Sequence, residues 1–457
     1  MQSQEPSAVQ ALHTKPPAGP KGHWLFQNLP DFVRSPAKFL AQQQREFGGI
    51  SSFIMLYGRF YLVSDPDLVR QVLVSEAKNY PKTQKINRIM QRGLGLGILN
   101  SEGAFHSSQR KQLQPAFKRQ RIESYDDLII ASGQNMLAQW KDGDERDILA
   151  EMHHVTMAIV TESLFGVKLN ADSSTVGASI ANLQELVIKT MTFPLPVPFW
   201  VPTPTNRALR EERKRLQKVI DGIVSDRKQQ QQDTGDLLSS LLEPEDGTAP
   251  MEEKQLRDEL ITMFAAGHET TANALAWTFV LLAENPEIQE RLYKEIEEQL
   301  GGKAPTAKCI EKLPLAAAVF KETLRIKPTA WALSSRQAIH ETTLGGYRIP
   351  KDAVVLIAPY AMHRNLDYFD NPETFDPDRW LDGRTDNLPK LAYMPFGAGA
   401  RVCIGNQFAI QEGLILLAMV IQAFEVRKCT EAPIEEKPLI TLCPDGKVMM
   451  KLSQRNS

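Results

Sequence analysis

The stretch Phe396-Gly397-Ala398-Gly399-Ala400-Arg401-Val402-Cys403-Ile404-Gly405 sets a single cysteine in a glycine-rich turn, two residues after an arginine. Each residue type has a chemical use. Glycines at 397, 399 and 405 let backbone approach a bound group closely, and Arg401 offers a fixed positive fork for a carboxylate. The cysteine supplies a thiolate, the form of the side chain that ligates metals. Residues 405–424 read as a long apolar helix starting just after the cysteine, so its free N–H groups would point at the sulfur and lower the thiol pKa. A buried free cysteine in a glycine-rich turn is the plain alternative, because isolated cysteines often act as small hydrophobes.

Two further constellations carry chemistry. Ala265-Ala266-Gly267-His268-Glu269-Thr270-Thr271 lies inside a helical segment from Leu256 to Glu284. Glycine and paired threonines weaken a helix, and a threonine hydroxyl can bond a carbonyl one turn earlier, which predicts a local opening. A glycine-bearing core helix is the rival reading. Glu322-Thr323-Leu324-Arg325 puts an acid and a guanidinium three residues apart on one helical face, a spacing that also arises by chance in a chain of 457 residues.

Taken together these segments resemble the cytochrome P-450 superfamily. Residues 396–405 fill every specified position of its haem-binding pattern Phe-x-x-Gly-x-Arg-x-Cys-x-Gly. Residues 266–271 fit its distal-helix pattern Ala/Gly-Gly-x-Glu/Asp-Thr-Thr/Ser, and Glu322 with Arg325 fits its Glu-x-x-Arg, completed downstream by Arg379. The resemblance implies that Cys403 is the axial ligand of a haem b iron, in a loop shaped by Phe396, Gly397 and Gly405, with Arg401 on a haem propionate. It implies that Thr270 holds dioxygen and its waters by hydrogen bonding while Glu269 helps relay protons. Glu322, Arg325 and Arg379 are expected to form a buried ionic network that holds the cysteine loop. His106, Arg110 and Arg336 are further propionate candidates, although His106 stands where most members carry tryptophan. His268 occupies the variable position of the distal pattern and reads as structural.

These residues need a scaffold. Helical periodicity dominates from about residue 66 to 330, and hairpin signals occur at 52–63 and 343–357. Short strands near 439–441 and 448–450 are expected to complete a minor sheet. The fold class is therefore mainly α with a smaller β-rich region, read as one catalytic domain over 1–457 whose residues 1–29 form a proline-rich lead-in. Arg227 to Asp233 reads as a solvated helix end or linker, and Glu243 to Pro250 as a turn-rich connection. Phe193 to Pro202 is too proline-rich for a helix and reads as an entrance lid, a membrane-touching segment or a packed loop.

Composition narrows the partners. A formal charge of −2 argues against nucleic acid, and an apolar share of 42% suits a core that encloses a cofactor. Four cysteines without CxxC pairing point to a reducing cytoplasm. Met1 to Lys15 is polar, so no transmembrane anchor is expected. No dinucleotide or iron–sulfur motif is evident, so electrons are expected from a ferredoxin or flavodoxin with an NAD(P)H reductase, docking near Lys111, Lys118, Arg119 and Arg121. By family position the substrate pocket runs along 85–99, the aromatic loop around Phe199, 263–266, 329–333 and 439–442, with Phe264, Trp331 and Leu333 prominent. A fatty acid, terpenoid or steroid-like substrate follows. The implied activity is insertion of one atom of O2 into that substrate. A peroxide-driven peroxygenase or isomerase, a non-catalytic haem sensor and a large helical binding protein are the alternatives.

Overall fold

Residues 256–282 carry apolar side chains on every helical face, and a helix of that kind has to be buried all round. The computed structural model describes residues 13, 15–55, 58–167, 172–193, 197–230, 236–243 and 250–455. Its longer helices, in chain order, are α1 (Pro36–Phe47), α2 (Gln84–Leu94), α3 (Gly103–Leu113), α4 (Asp126–Leu137), α5 (Ile148–Phe165), α6 (Asp172–Thr192), α7 (Pro204–Gln230), α8 (Glu253–Glu284), α9 (Pro286–Leu300), α10 (Pro314–Ile326) and α11 (Asn406–Ala423). The 32-residue α8 is the axis of the fold. It packs along α5 and touches α7, α9, α10 and α11. Gly267 makes the α5 contact possible, because a Cβ there would come within 2.5 Å of Val160 Cγ2. The glycine expected to weaken this helix serves instead as the point where two helices approach closely, and α8 runs through it unbroken.

The strands are β1 (Ile50–Met55), β2 (Gly58–Val63), β3 (Glu145–Asp147), β4 (Arg336–Gln337), β5 (Thr342–Leu344), β6 (Tyr347–Ile349), β7 (Val354–Ile357), β8 (Phe424–Lys428), β9 (Glu436–Pro438), β10 (Leu442–Pro444) and β11 (Met449–Gln454). β1 and β2 form the expected first hairpin, with Ile50 opposite Val63. Leu56 and Tyr57 of that predicted hairpin lie outside the described residues. β5 and β6 form the second hairpin, but β7 leaves it to pair in parallel with β2, giving a four-stranded sheet in the order β1-β2-β7-β4.

The C-terminal strands differ from expectation. Leu439 to Thr441 is the turn between β9 and β10, where the Leu439 N–H bonds the Lys437 and Thr441 carbonyls. β11 belongs to another sheet, between β3 and β8. Short strands with few side chains per face specify their partners weakly, so their pairing is decided by what they pack on. Arg227 is a second correction. It is buried and bonds Asp236 at 2.7 Å and the Phe165 carbonyl at 2.8 Å, which ties the end of α7 to α5 rather than to solvent. Residues 231–233 and 244–249 of the two predicted loops lie outside the described residues. Among the described residues no helix is long and apolar enough to cross a membrane.

Candidate functional site

α11 begins at Asn406, and Gly405 caps it, so the loop 396–405 is delivered directly to a helix N-terminus. The loop is pinned at its mouth by the Cys403 N–H, which donates to the Phe396 carbonyl at 2.9 Å. Gly399 has φ of 66° and sits where a Cβ would lie 2.2 Å from the Leu73 carbonyl oxygen, so no other residue fits that turn without displacing backbone. Cys403 has an accessible surface even though protein crowds it from most directions. Burial raises its thiol pKa, only partly offset by the Gly405 N–H and Arg110. The helix-terminus effect expected to lower that pKa is present, but desolvation outweighs it.

An opening lies along α8. Phe264, Ala265, His268, Glu269 and Thr271 are buried, whereas Ala266 is exposed and Gly267 and Thr270 are partly open. That pattern leaves one face of an interior helix uncovered. The Thr270 hydroxyl bonds the Ala266 carbonyl at 2.8 Å, as the threonine pattern implied. His268 is buried and its Nδ1 lies 2.7 Å from the Phe264 carbonyl, with its pKa pushed to about 4 by burial. Glu269 is buried and accepts hydrogen bonds from Gln184 Nε2 and Thr441 Oγ1, and burial raises its pKa to about 6 despite those two donors.

Cations gather near the cysteine loop. Arg401 Nη2 lies 3.0 Å from Glu102 Oε1, and Lys82 Nζ lies 3.7 Å from the same oxygen. Lys82 also donates to the Leu99 carbonyl. Its pKa falls to about 7, first through burial and then through the Arg401 charge. His106 falls to about 4 through burial and through Arg401, Lys82, Arg110 and Arg336 around it. Arg336, on β4 beside Lys82, is 7% exposed and is pushed to about 10 by burial. Arg110 Nη1 instead donates to the Val402 carbonyl at 2.8 Å, bracing the cysteine loop from α3. Arg401 Nη1 has no hydrogen-bond partner. A cluster this desolvated, with Glu102 as the carboxylate lodged within it, is built to receive further negative charge. A flat group bearing two carboxylates, which is what a haem presents, fits both the cations and the accessible cysteine. Lys82 and Glu102 are the members that motif reading missed. Each is a lone charged residue, and it is the bridge of Lys82 to Arg336 and the ion pair of Glu102 with Arg401 that bring them into the site.

The Glu-x-x-Arg residues sit on α10. Arg325 donates to Glu322 through Nε at 2.9 Å and Nη2 at 2.8 Å, and through Nη1 to the His363 and Pro372 carbonyls at 2.9 and 2.7 Å. Arg379 Nε reaches Glu322 at 3.0 Å, and the Trp380 indole donates to it at 2.9 Å. His363 Nε2 accepts from the Met394 N–H at 3.0 Å, two residues before Phe396. Hydrogen bonds therefore run from Glu322 to the base of the cysteine loop.

Other expectations land elsewhere. Phe264 is buried and stacks on Phe165 with ring centroids 4.3 Å apart, and Trp331 packs with Phe39 and Phe53 while its indole donates to the Leu439 carbonyl at 2.9 Å. Both are core side chains rather than prominent pocket walls, because aromatic rings bury more area by packing than by lining a void. Leu333 remains beside Gly397. Of the predicted lid, Trp200 is 79% exposed and Phe199 lies between Arg92 and Arg210, while Pro194 to Pro196 lie outside the described residues. Of the basic run, Lys111 and Lys118 are exposed, but Arg119 is already paired with Glu123 and Glu311.

One buried acid was not singled out beforehand. Glu412 on α11 is fully buried and faces the Thr271 hydroxyl on α8, and burial raises its pKa well above the ordinary carboxylate range. The folded protein keeps this proton where the unfolded chain gives it up, so stability from this group falls as pH rises above the unfolded value of about 4.3. Glu412→Gln is expected to be more stable than the wild type at about pH 8, by on the order of 1 kcal/mol, and to show no advantage near pH 4. Thermal unfolding of both proteins across that range checks it; a variant less stable at pH 8 would show an ionised, partnered carboxylate.

Comparison with known proteins gives a match to the family described as Cytochrome P450 over residues 17–452. Cyclooctat-9-en-7-ol 5-monooxygenase of Streptomyces melanosporofaciens is 32% identical, over 90% of this chain and 92% of that protein. Cyclooctatin synthase of the same organism is 32% identical over 96% and 95%. Pentalenene oxygenase of Streptomyces avermitilis is 29% identical over 86% and 88%.

Proposed function

The chain belongs to the cytochrome P450 family and is a haem-iron monooxygenase that uses O2 on a hydrophobic substrate, and on that premise we propose a cyclic terpenoid substrate and Cys403 as the residue that would ligate the iron. One observation carries the site: an accessible cysteine in a braced loop beside a desolvated cation cluster. We read the cofactor as haem b, its propionates held by Arg401, Lys82, His106 and Arg336, and the whole chain as one catalytic domain. Bound there, haem supplies two-electron activation of O2, leaving one oxygen atom for the substrate and one for water.

The chain's own residues do the rest. Arg110 and the Glu322 network hold the loop that presents Cys403. Thr270, on the open face of α8, holds water against that face, and Glu269 passes protons toward it. A pKa near the working pH suits Glu269 to that relay. Leu96, Leu99 and Ala266 are apolar and accessible, which supports a hydrocarbon-rich substrate. The names of the similar proteins support a cyclic terpenoid over a fatty acid. Electrons come from a ferredoxin- or flavodoxin-type protein with its NAD(P)H reductase, and exposed Lys111 and Lys118 support an acidic donor. Four free cysteines support a reducing compartment, and we place the enzyme in the cytoplasm.

Cyclic terpenoids and fatty acids, added in parallel to the ferric protein, test the substrate class by the spin-state shift each produces. A terpenoid is expected to shift the spectrum at micromolar concentration; a larger response to fatty acids would reject the class. With the active compound, Thr270→Ala is expected to keep the haem spectrum while product per NAD(P)H falls about tenfold and hydrogen peroxide rises. Unchanged coupling would remove Thr270 from the relay.

A further inference from the structure

Glu269 is held from two different sides. Thr441, which donates to Oε1, belongs to the β9–β10 turn and is itself fixed by Asn273 Nδ2 of α8 at 3.1 Å. That turn is well anchored: the Trp277 indole of α8 bonds the Leu442 carbonyl at 3.1 Å, the Leu442 N–H bonds the Thr329 carbonyl at 2.9 Å, and Trp331 bonds Leu439. Gln184, which donates to Oε2, comes from α6. Ile180 of α6, Leu216 and Ile220 of α7 and Phe264 of α8 pack together at this junction, with no room for a water between them. One turn of α6 is also tied to the hairpin, by Glu185 and Lys437 at 3.5 Å, both half exposed. A buried amide that reaches a buried carboxylate from a different helix makes the carboxylate sensitive to where α6 sits.

We propose that Gln184 is a positioning residue for Glu269, and that the pair is a latch through which movement of α6 controls the proton held by Glu269. The inference rests on reading Glu269 as the proton relay. With the latch closed, two donors favour the ionised carboxylate against burial; when α6 shifts, one donor is lost and the carboxyl binds its proton more tightly. The other groups around it do not take over. On the hairpin, Cys443 is held neutral, its thiol pushed to about 12 by burial and by Glu269 itself. His268 on α8 faces the Phe264 carbonyl and, across 5.6 Å, His153 of α5, which burial also keeps neutral. Glu412 of α11 faces Thr271 instead. Lys437, on the hairpin, is engaged by Glu185 and Asp445.

The test uses the haem-loaded protein. The carboxyl band of Glu269, identified by its absence in Glu269→Gln, is titrated by infrared difference spectroscopy in the wild type and in Gln184→Ala. The proposal expects the midpoint to rise by about one pH unit, a tenfold change in proton affinity, with the carbon monoxide spectrum unchanged. Independently, hydrogen exchange in α6 is expected to accelerate several-fold in Glu269→Ala while α10 stays as it was, a readout that needs no Gln184 variant. Wild-type midpoint and wild-type α6 exchange together would overturn the latch even if Glu269→Gln uncoupled turnover, which would leave the relay standing. If Gln184→Ala moves the midpoint but Glu269→Gln turns over with normal coupling, the latch stands and the relay reading falls.

Discussion

Cys403→Ala is expected to fold, to bind haem weakly, and to lose monooxygenase turnover by at least about a thousandfold, which is about 4 kcal/mol of barrier. The loop should survive the change. Its backbone is fixed by the Cys403 N–H to Phe396, by Arg110 on Val402, and by the tight turn at Gly399, none of which involves the sulfur. What disappears is the soft ligand that the Cys403 sulfur supplies. Burial keeps the free thiol protonated, so ligation in the wild type must release a proton, and haem loading should strengthen as pH rises. The alanine variant should show no such proton release. An iron spectrum identical to the wild type would mean that another side chain holds the metal.

Glu322→Ala is expected to be the most destabilising single change outside the loop, by about 3–5 kcal/mol, with most of the haem lost on purification. Glu322 and Arg325 are both 0% exposed, and one carboxylate receives Arg325, Arg379, the Trp380 indole and the Asp376 N–H. Removing it leaves Arg325 buried without its counter-charge and Arg379 with only Asp376, 3.9 Å away. The strain passes to the site because Arg325 also bonds the His363 carbonyl, and His363 accepts from Met394 at the base of the cysteine loop. Arg348→Ala, which breaks an exposed pair with Glu341, is the control and should leave stability and haem content unchanged. Urea unfolding with haem content measured alongside separates the two; equal stabilities would reduce the network to an incidental contact.

How much of this was readable from sequence depends on the range of the interaction. α8 and α11 were legible because each carries a long apolar run, and the cysteine loop because its glycines, arginine and cysteine act within ten residues. The Glu322–Arg325 pair was legible for the same reason, being one helical turn. Pairing across long separations was not: nothing in Val354 to Ile357 says that it lies parallel to Gly58 to Val63, or that Leu439 to Thr441 turns rather than extends. Gly267 was read for its effect on its own helix, whereas its place is set by Val160 on another. Lys82, Glu102, Gln184 and Thr441 are single polar residues without periodicity, and only packing gives them a partner. Position in the chain alone does not place Phe264 or Trp331: a few degrees of helix rotation for Phe264, and the course of a loop for Trp331, decide whether the ring lines a void or fills a core.

The central claim is that Cys403 ligates haem iron as a thiolate. The most direct measurement is the absorption spectrum of the dithionite-reduced, haem-loaded wild type under carbon monoxide. A strongly red-shifted Soret band is the predicted result; a band at the position given by histidine-ligated haem, or no haem band after loading, would contradict it.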